Sequence, residues 1–211
     1  MKTMRALVAL AAGLMLSACA SVETATRNAP LDAPVIQSTD IHFDVQAIRV
    51  NVPETLSVSE ANSYYPGGDI VWREDPQGDR HAQVKTIFED AMRLGVDAMG
   101  DGNVPVFLDV QVTRFHALTE KARYTVGGVH ALQFKYVLRN PETGEAYGEP
   151  KFVKADFKAY GGAKAIAAER NGITQKFRIT NHLAQVIKTE LNSVDGHRAE
   201  YLGLIGAINQ L

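Results

Sequence analysis

The chain contains a single cysteine, Cys19, among its 211 residues, and this limits how the fold can be stabilised. One thiol cannot form an intramolecular disulfide, so no covalent cross-link holds the chain together. Stability must therefore come from a hydrophobic core, and roughly 170 residues are enough to bury one within a single domain. We expect one domain of ordinary size over residues 40–211.

The residues before Cys19 have the features of an export signal. Lys2 and Arg5 form a positive start, and an apolar run at residues 6–16 follows them. This run is shorter than the roughly 20 residues that a membrane-spanning helix needs. The pattern favours a cleaved signal peptide at residues 1–18.

The sequence Leu16-Ser17-Ala18-Cys19 resembles the lipobox of bacterial lipoproteins. The resemblance implies cleavage before Cys19, a diacylglyceryl thioether on its sulfur, and an acyl chain such as palmitate on the new amino group. Several acyl chains anchor a protein stably, since each buried methylene contributes about 0.8 kcal/mol. Ala20 is not the aspartate that retains enterobacterial lipoproteins in the inner membrane. The resemblance thus implies the outer membrane, facing the periplasm, with the inner membrane as the alternative. The other interpretation of Cys19 is a buried cysteine in an ordinary signal peptide.

The charge of the processed chain argues against nucleic acid as a partner. Removing residues 1–18 takes away Lys2 and Arg5, which leaves 22 − 2 = 20 basic against 24 acidic side chains. Binding to phosphates needs clustered lysine and arginine, and the sequence has no such cluster. We expect the membrane, through Cys19, and an envelope protein as partners.

Residues 19–39 are predicted to form the lipidated cysteine and a flexible tether. Serine, threonine, asparagine and alanine dominate this stretch, and Pro30 and Pro34 oppose a helix. A flexible chain of this length spans about 5–6 Å times the square root of its residue number, and more when stretched. The domain can therefore stand away from the membrane.

Two strands and a helix are predicted at the start of the domain. Alternating apolar residues indicate a strand from Ile41 to Val52 with a slip in its alternation, and a short strand at Ile70–Trp72. Asp79 stands where a helix N-cap is expected. The apolar face of that helix contains Val84, Ile87, Phe88 and Ala91.

Three further strands and two helical stripes follow. Alternation indicates strands near residues 106–112, 130–138 and 153–159. One apolar stripe contains Phe177, Thr180, Ala184, Ile187 and Leu191, and a second lies within residues 201–211. We predict an α+β fold: an antiparallel sheet of about five strands in the order β-β-α-β-β-β-α, with helices packed on one face and a C-terminal helix.

The sequence contains no recognisable catalytic, metal or cofactor motif. None of its six histidines forms the closely spaced pair that zinc sites use. A Gly-x-Ser-x-Gly elbow is absent, and the pairs Gly127-Gly128 and Gly161-Gly162 lack the spacing of a phosphate-binding loop. These glycine pairs are interpreted as flexible strand ends. We expect no catalytic residue, metal or cofactor.

One segment, residues 64–81, interleaves aromatic and charged side chains between glycines. Such a composition is common in binding loops, because rigid aromatic rings give contact area at a low entropic cost. The alternative is a structured connection in which Trp72 fills the core and Arg73 or Arg80 pairs with local carboxylates. The candidate binding residues are Tyr64, Tyr65, Asp69, Trp72, Arg73 and Arg80.

Residues 59–83, Ser-Glu-Ala-Asn-Ser-Tyr-Tyr-Pro-Gly-Gly-Asp-Ile-Val-Trp-Arg-Glu-Asp-Pro-Gln-Gly-Asp-Arg-His-Ala-Gln, resemble a segment of an uncharacterised family of alphaproteobacterial lipoproteins. The resemblance covers about residues 41–191 and implies no activity, because the family has none assigned. The order of elements is more loosely similar to that of transport-auxiliary lipoproteins, and fold alone does not imply function.

The expected function is a non-enzymatic, membrane-anchored binding or accessory module in envelope transport or assembly. One alternative is a small periplasmic hydrolase that uses Glu74, Asp75, Asp79 and His81, which requires these side chains to converge in a concave pocket. The other alternative is a purely structural lipoprotein.

Overall fold

The computed structural model describes residues 41–193 and 195–202. Within these residues the chain forms a mixed α+β domain with six strands and four helices. The strands are β1 (Phe43–Asn51), β2 (Ile70–Val71), β3 (Val104–His116), β4 (Gly128–Arg139), β5 (Lys151–Lys154) and β6 (Phe157–Ala159). The helices are α1 (Arg80–Asp97), α2 (Glu120–Arg123), α3 (Ala163–Arg170) and α4 (Gln175–Asn192). The predicted α+β class and approximate strand order are confirmed.

The two longest strands, β3 and β4, form the antiparallel centre of the sheet, with Val110 opposite Tyr136. Two strands flank β4 on its other side, since β5 and β6 pair with successive parts of it. On the opposite edge, β1 and β2 pair with successive parts of β3. The sheet is therefore four strands wide, and both of its edges are made from two separate pieces.

The expectation of a wholly antiparallel sheet is wrong at one edge, because β1 and β2 run parallel to β3. The connection from β1 to β3 contains α1, which carries the chain back to the end of the sheet at which β1 began. A helical crossover of this kind produces a parallel pair. The predicted slip in the first strand is present as a register shift between Val45 and Ala47.

The last predicted strand is broken into β5 and β6 at Asp156. The backbone N–H of Ala155 still donates to the carbonyl oxygen of Leu132 at 2.8 Å. The N–H of Leu132 donates to Asp156 Oδ1 at 2.9 Å. A buried carboxylate thus replaces the missing backbone acceptor, and this allows the edge strand to change direction beside β4.

Both long helices pack against one face of the sheet, as predicted. Asp79 caps α1 by accepting the N–H of Ala82 at 3.0 Å, which confirms the predicted N-cap. The helices α1 and α4 lie close together at Gly95, where an added Cβ would be 2.4 Å from Ile187 Cγ2. One continuous core contains side chains from both helices and from all six strands.

The predicted stripe of α4 is confirmed at Ala184, Ile187 and Leu191, which are buried, and is wrong in the first part of the helix. Phe177 is 53% exposed, whereas Ile179 and Leu183 are fully buried beside the predicted Ile187. Phe177 lies in the first turn, where its N–H is capped by Thr174 Oγ1. The second predicted stripe lies mostly outside the described residues, and its first two, Tyr201 and Leu202, are not helical. Within residues 41–193 and 195–202, every helix is too short or too polar to span a bilayer.

Candidate functional site

A groove of about 830 Å³ opens at the end of the sheet where β4 begins and β6 ends. This size is within the range of small-molecule binding pockets. We call it the aromatic groove, and its lining consists of Tyr64, Tyr65, Ala122, Val126, Gly127, Gly128, Phe157, Lys158, Ala159, Tyr160, Gly161, Lys164, Arg178 and Glu200. The lining comes from five separate segments of the chain, so the groove exists only in the folded domain.

Three glycines, Gly127, Gly128 and Gly161, line the groove where two glycine pairs are in close backbone contact. A Cβ on Gly161 would lie 2.1 Å from the backbone nitrogen of Gly127, which no side chain can tolerate. Gly127 and Gly162 also have φ angles of +77° and +55°, which are favourable only for glycine. The backbone N–H of Gly162 donates to the carbonyl oxygen of Arg123 at 2.9 Å. These pairs therefore serve close packing, and the interpretation as flexible strand ends is wrong.

One wall of the groove is the loop that carries Tyr64 and Tyr65. The loop is fixed from both sides: Ser59 Oγ donates to the carbonyl oxygen of Pro66 at 2.6 Å, and Thr119 Oγ1 donates to that of Ser63 at 2.7 Å. Tyr65 is nevertheless 71% exposed. The loop thus presents exposed tyrosine rings from an ordered backbone.

The opposite wall presents cations around an aromatic ring. The ring centroid of Tyr160 lies 3.5 Å from Arg178 Cζ and 4.1 Å from Lys164 Nζ. Arg178 Nη2 also donates to the carbonyl oxygen of Lys158 at 2.9 Å. Contacts of cations with aromatic faces are favourable by about 0.5–2 kcal/mol, and they hold the charges in place without neutralising them.

A row of aromatic and imidazole rings lies behind the groove. The Phe157 ring stacks on His182 at 4.1 Å and lies 4.9 Å from the ring of His130. Burial, the largest cause, lowers the pKa of His182 to about 4 and that of the fully buried His130 well below its ordinary value. Both imidazoles are therefore neutral at pH 7.

The segment from Glu60 to Arg80 is braced by ion pairs. Arg80 Nε lies 2.6 Å from Glu60 Oε1, and Arg73 Nε lies 2.6 Å from Glu120 Oε2. The hydrogen bond from Arg80 lowers the pKa of Glu60 against the opposing effect of burial. Arg80 itself is buried and also donates to Gln83 Oε1. These arginines hold the segment against the domain.

A second set of ion pairs joins the same segment to α2 and α4. Glu74 Oε2 accepts from Arg123 Nη1 at 3.2 Å and from the backbone N–H of Lys176 at 3.1 Å. Both carboxylate oxygens of Asp75 lie 3.0 Å from Lys176 Nζ. Asp75 Oδ2 also accepts the indole N–H of Trp72 at 2.8 Å.

The predicted binding residues divide into two groups. Tyr64 and Tyr65 line the aromatic groove. Trp72 is fully buried edge-to-face against Phe115, and Asp69 accepts hydrogen bonds from Ser57, which lower its pKa. Together with the ion pairs of Arg73 and Arg80, this is the structured connection that the sequence left open as the alternative.

The four side chains of the hydrolase alternative have separate partners. Glu74 and Asp75 bind cations on α2 and α4. Asp79 caps α1, and His81 Nε2 lies 3.1 Å from the carbonyl oxygen of Leu56. Glu74 and Asp75 line a concavity to which Asp79 and His81 do not contribute. Within residues 41–193 and 195–202, no three metal-ligating side chains lie together.

Sequence reasoning missed the cationic side of the groove. Arg178 is fourteen residues from Lys164 in the sequence, and the packing of α3 and α4 beside β6 brings both cations to Tyr160. A signal was nevertheless present: Tyr160 precedes a glycine pair, and such a pair indicates a close approach of two backbones. The approach point is where the groove forms.

Comparison with known proteins gives a family and weak structural similarities. The DUF6778 family of unknown function matches residues 43–207. No curated protein has a significantly similar sequence. A candidate lipoprotein from Caulobacter crescentus is 14% identical, with a TM-score of 0.33, over 69% of this chain and 87% of that chain. A DUF330 protein from Xanthomonas campestris is 11% identical, with a TM-score of 0.36, over 69% and 82%. Dodecameric PelC from Paraburkholderia phytofirmans is 17% identical, with a TM-score of 0.25, over 69% and 93%.

Proposed function

The chain belongs to the DUF6778 family of unknown function, and we propose that it is a lipid-anchored, non-enzymatic binding module that serves transport or assembly in the bacterial envelope. The observation that supports binding is the aromatic groove, in which an ordered loop presents Tyr64 and Tyr65 opposite a set of cations. Exposed aromatic rings beside arginine are the composition of binding hot spots.

The proposed anchor is the lipid on Cys19, at the end of the signal sequence. In this proposal, residues 20–39 are a tether that lets the groove reach its ligand in or near the membrane. The expected location is the periplasmic face of the outer membrane, and the inner membrane is the alternative.

The two alternatives have less support. A hydrolase that uses Glu74, Asp79 and His81 would need these groups free and convergent, whereas each has a structural partner on a different element. A purely structural lipoprotein leaves the exposed tyrosine loop and its unneutralised cations without a role.

The anchor is tested by metabolic labelling with palmitate. We expect the mature protein to incorporate the label and to partition into detergent, and Cys19→Ser to lose both properties. Labelling that is unchanged in Cys19→Ser would refute the anchor.

Binding at the groove is tested by photo-crosslinking in cells. A photoreactive phenylalanine analogue at Tyr65 is expected to give a crosslinked species in the envelope fraction. The same analogue at Tyr147, which is exposed outside the groove, is the matched control. If position 65 gives no species beyond those at position 147, the binding function is refuted.

A further inference from the structure

The described residues that line the aromatic groove carry an excess of positive charge. Lys158, Lys164 and Arg178 line it, against a single lining carboxylate, Glu200. In the part of the chain that the structure describes, no carboxylate oxygen lies within 4.0 Å of the side-chain nitrogens of these three cations. The whole chain has a net charge of −2, so this local excess runs against the overall charge.

The two cations beside Tyr160 form no ion pair with a carboxylate among the described residues. Burial, the largest cause, lowers the pKa of Arg178, and the more distant charge of Glu200 opposes this effect. Arg178 and Lys164 lie 3.5 and 4.1 Å from the same ring centroid. Like charges around one ring repel each other, and Arg178 is in addition half-buried. An anionic group that contacts both cations at the edge of the ring would reduce the repulsion and form charge-assisted hydrogen bonds.

The other part of the groove is apolar and accessible. Val126 and Tyr65 are 76% and 71% exposed, and the three glycines of the lining have no side chains. Covering these surfaces with hydrocarbon is favourable by about 25 cal/mol per Å² of apolar area removed from water. The groove therefore combines an anion site with an adjoining apolar surface.

An extended peptide is a poor occupant, because the outer edge of β6 is already closed. The N–H of Lys158 donates to Glu200 Oε2 at 3.3 Å, and its carbonyl oxygen accepts from Arg178 Nη2 at 2.9 Å. A peptide added to a sheet edge needs these same backbone groups. A ligand that makes no backbone hydrogen bonds is compatible with this edge as it stands.

We propose that the aromatic groove binds an anionic phospholipid, with the phosphate at Lys164 and Arg178 and an acyl chain against Tyr65 and Val126. This rests on the proposed binding function and names its ligand class. Glu200 has the opposite role in this arrangement: as the one lining carboxylate, it repels the phosphate and lowers the affinity.

The direct test is isothermal titration calorimetry with single-chain lipids below their micelle-forming concentration. The protein is the full-length chain carrying Cys19→Ser, so that its own acyl chains are absent from the groove. The probes are lysophosphatidylglycerol and lysophosphatidylcholine with the same 14-carbon chain, and glycerol phosphate as the headgroup without a chain. We expect the anionic lipid to bind at least tenfold more tightly than either of the other two.

Variants locate the site. Lys164 is exposed, so Lys164→Met should leave the thermal midpoint unchanged and weaken binding of the anionic lipid about tenfold. Glu200→Gln should strengthen that binding three- to tenfold. Lys85→Met, on the outer surface of α1, is the matched control and should change nothing.

Three results would overturn the proposal: equal affinity for the two lipids, equal affinity for glycerol phosphate alone, or an undiminished affinity in Lys164→Met. The two proposals fail separately. A protein crosslinked only from position 65, together with no lipid binding, would refute the phospholipid while leaving the binding module intact.

Discussion

Acidification between pH 7 and pH 5 is expected to destabilise the domain strongly through its buried histidines. Burial is the largest cause that lowers the pKa of both His116 and His182 to about 4, from 6.5 in the unfolded chain. For His116 the nearby Arg114 guanidinium acts in the same direction, and for His182 the ring of His197 does. Both imidazoles are neutral in the folded domain at pH 5, whereas both are protonated in the unfolded chain.

The sign and size of the effect follow from this difference in bound protons. Between pH 6.5 and about 4 the unfolded state binds more protons, so the free energy of unfolding falls as the pH falls. At pH 5, which is about 1.5 units below the ordinary histidine pKa, each buried histidine lowers the free energy of unfolding by about 2 kcal/mol, at 1.36 kcal/mol per unit. The two together cost about 4 kcal/mol, and His130, whose pKa is also lowered by burial, adds to the loss. The total free energy of unfolding of a typical domain is only about 5–15 kcal/mol.

The assay is urea unfolding followed by far-ultraviolet circular dichroism at pH 7, 6 and 5. We expect His182→Gln to remove about 2 kcal/mol of the difference in unfolding free energy between pH 7 and pH 5. His42→Gln, at the exposed start of the domain, controls for the loss of an imidazole. An unfolding free energy that is constant between pH 7 and pH 5 would refute the assignment of these imidazoles as neutral and buried.

Two further predictions concern packing and charge. Gly161→Ala places a methyl group 2.1 Å from the Gly127 nitrogen, so it should lower the free energy of unfolding by about 1–3 kcal/mol. The control Gly148→Ala, with nothing within 4 Å of the added methyl group, should change it by less than about 0.5 kcal/mol. Equal effects of the two substitutions in urea unfolding would contradict the close contact. Arg123→Met leaves two partly buried carboxylates without their cation and should lower the free energy of unfolding by about 2–3 kcal/mol. Lys85→Met, which breaks an exposed i,i+4 pair, should lower it by about 0.5 kcal/mol or less. The ratio of the two losses, measured by the same method, tests whether burial determines the strength of an ion pair.

Much of the fold could be predicted because it depends on local patterns. The alternation of apolar residues along β3 and β4 and the N-cap at Asp79 are visible in the sequence and present in the structure. The direction of β1 could not be predicted in this way, because strand direction depends on where a connection returns, and alternation has the same form in both directions. The break at Asp156 could not be predicted either. It depends on a hydrogen bond from the backbone N–H of Leu132, which lies on a different strand, to the buried Asp156 carboxylate.

The candidate site was predicted only in part. Aromatic composition selected Tyr64, Tyr65 and Trp72 together as binding candidates. It could not separate the two exposed tyrosines from Trp72, which is fully buried. Composition describes a whole segment, whereas the burial of each residue depends on what packs against it, as Phe115 packs against Trp72. The cations opposite the loop come from α3 and α4, so only the tertiary structure could place Lys164 and Arg178 beside it.

The position of the only tryptophan allows unfolding to be distinguished from ligand binding by fluorescence. Trp72 is enclosed beside Phe115, hydrogen-bonded to Asp75, and absent from the groove lining. Its emission wavelength should therefore move to the red when the core opens to water and stay constant when a ligand occupies the groove. The native protein, without any attached dye, thus reports its own unfolding through a signal that ligand occupancy leaves unchanged.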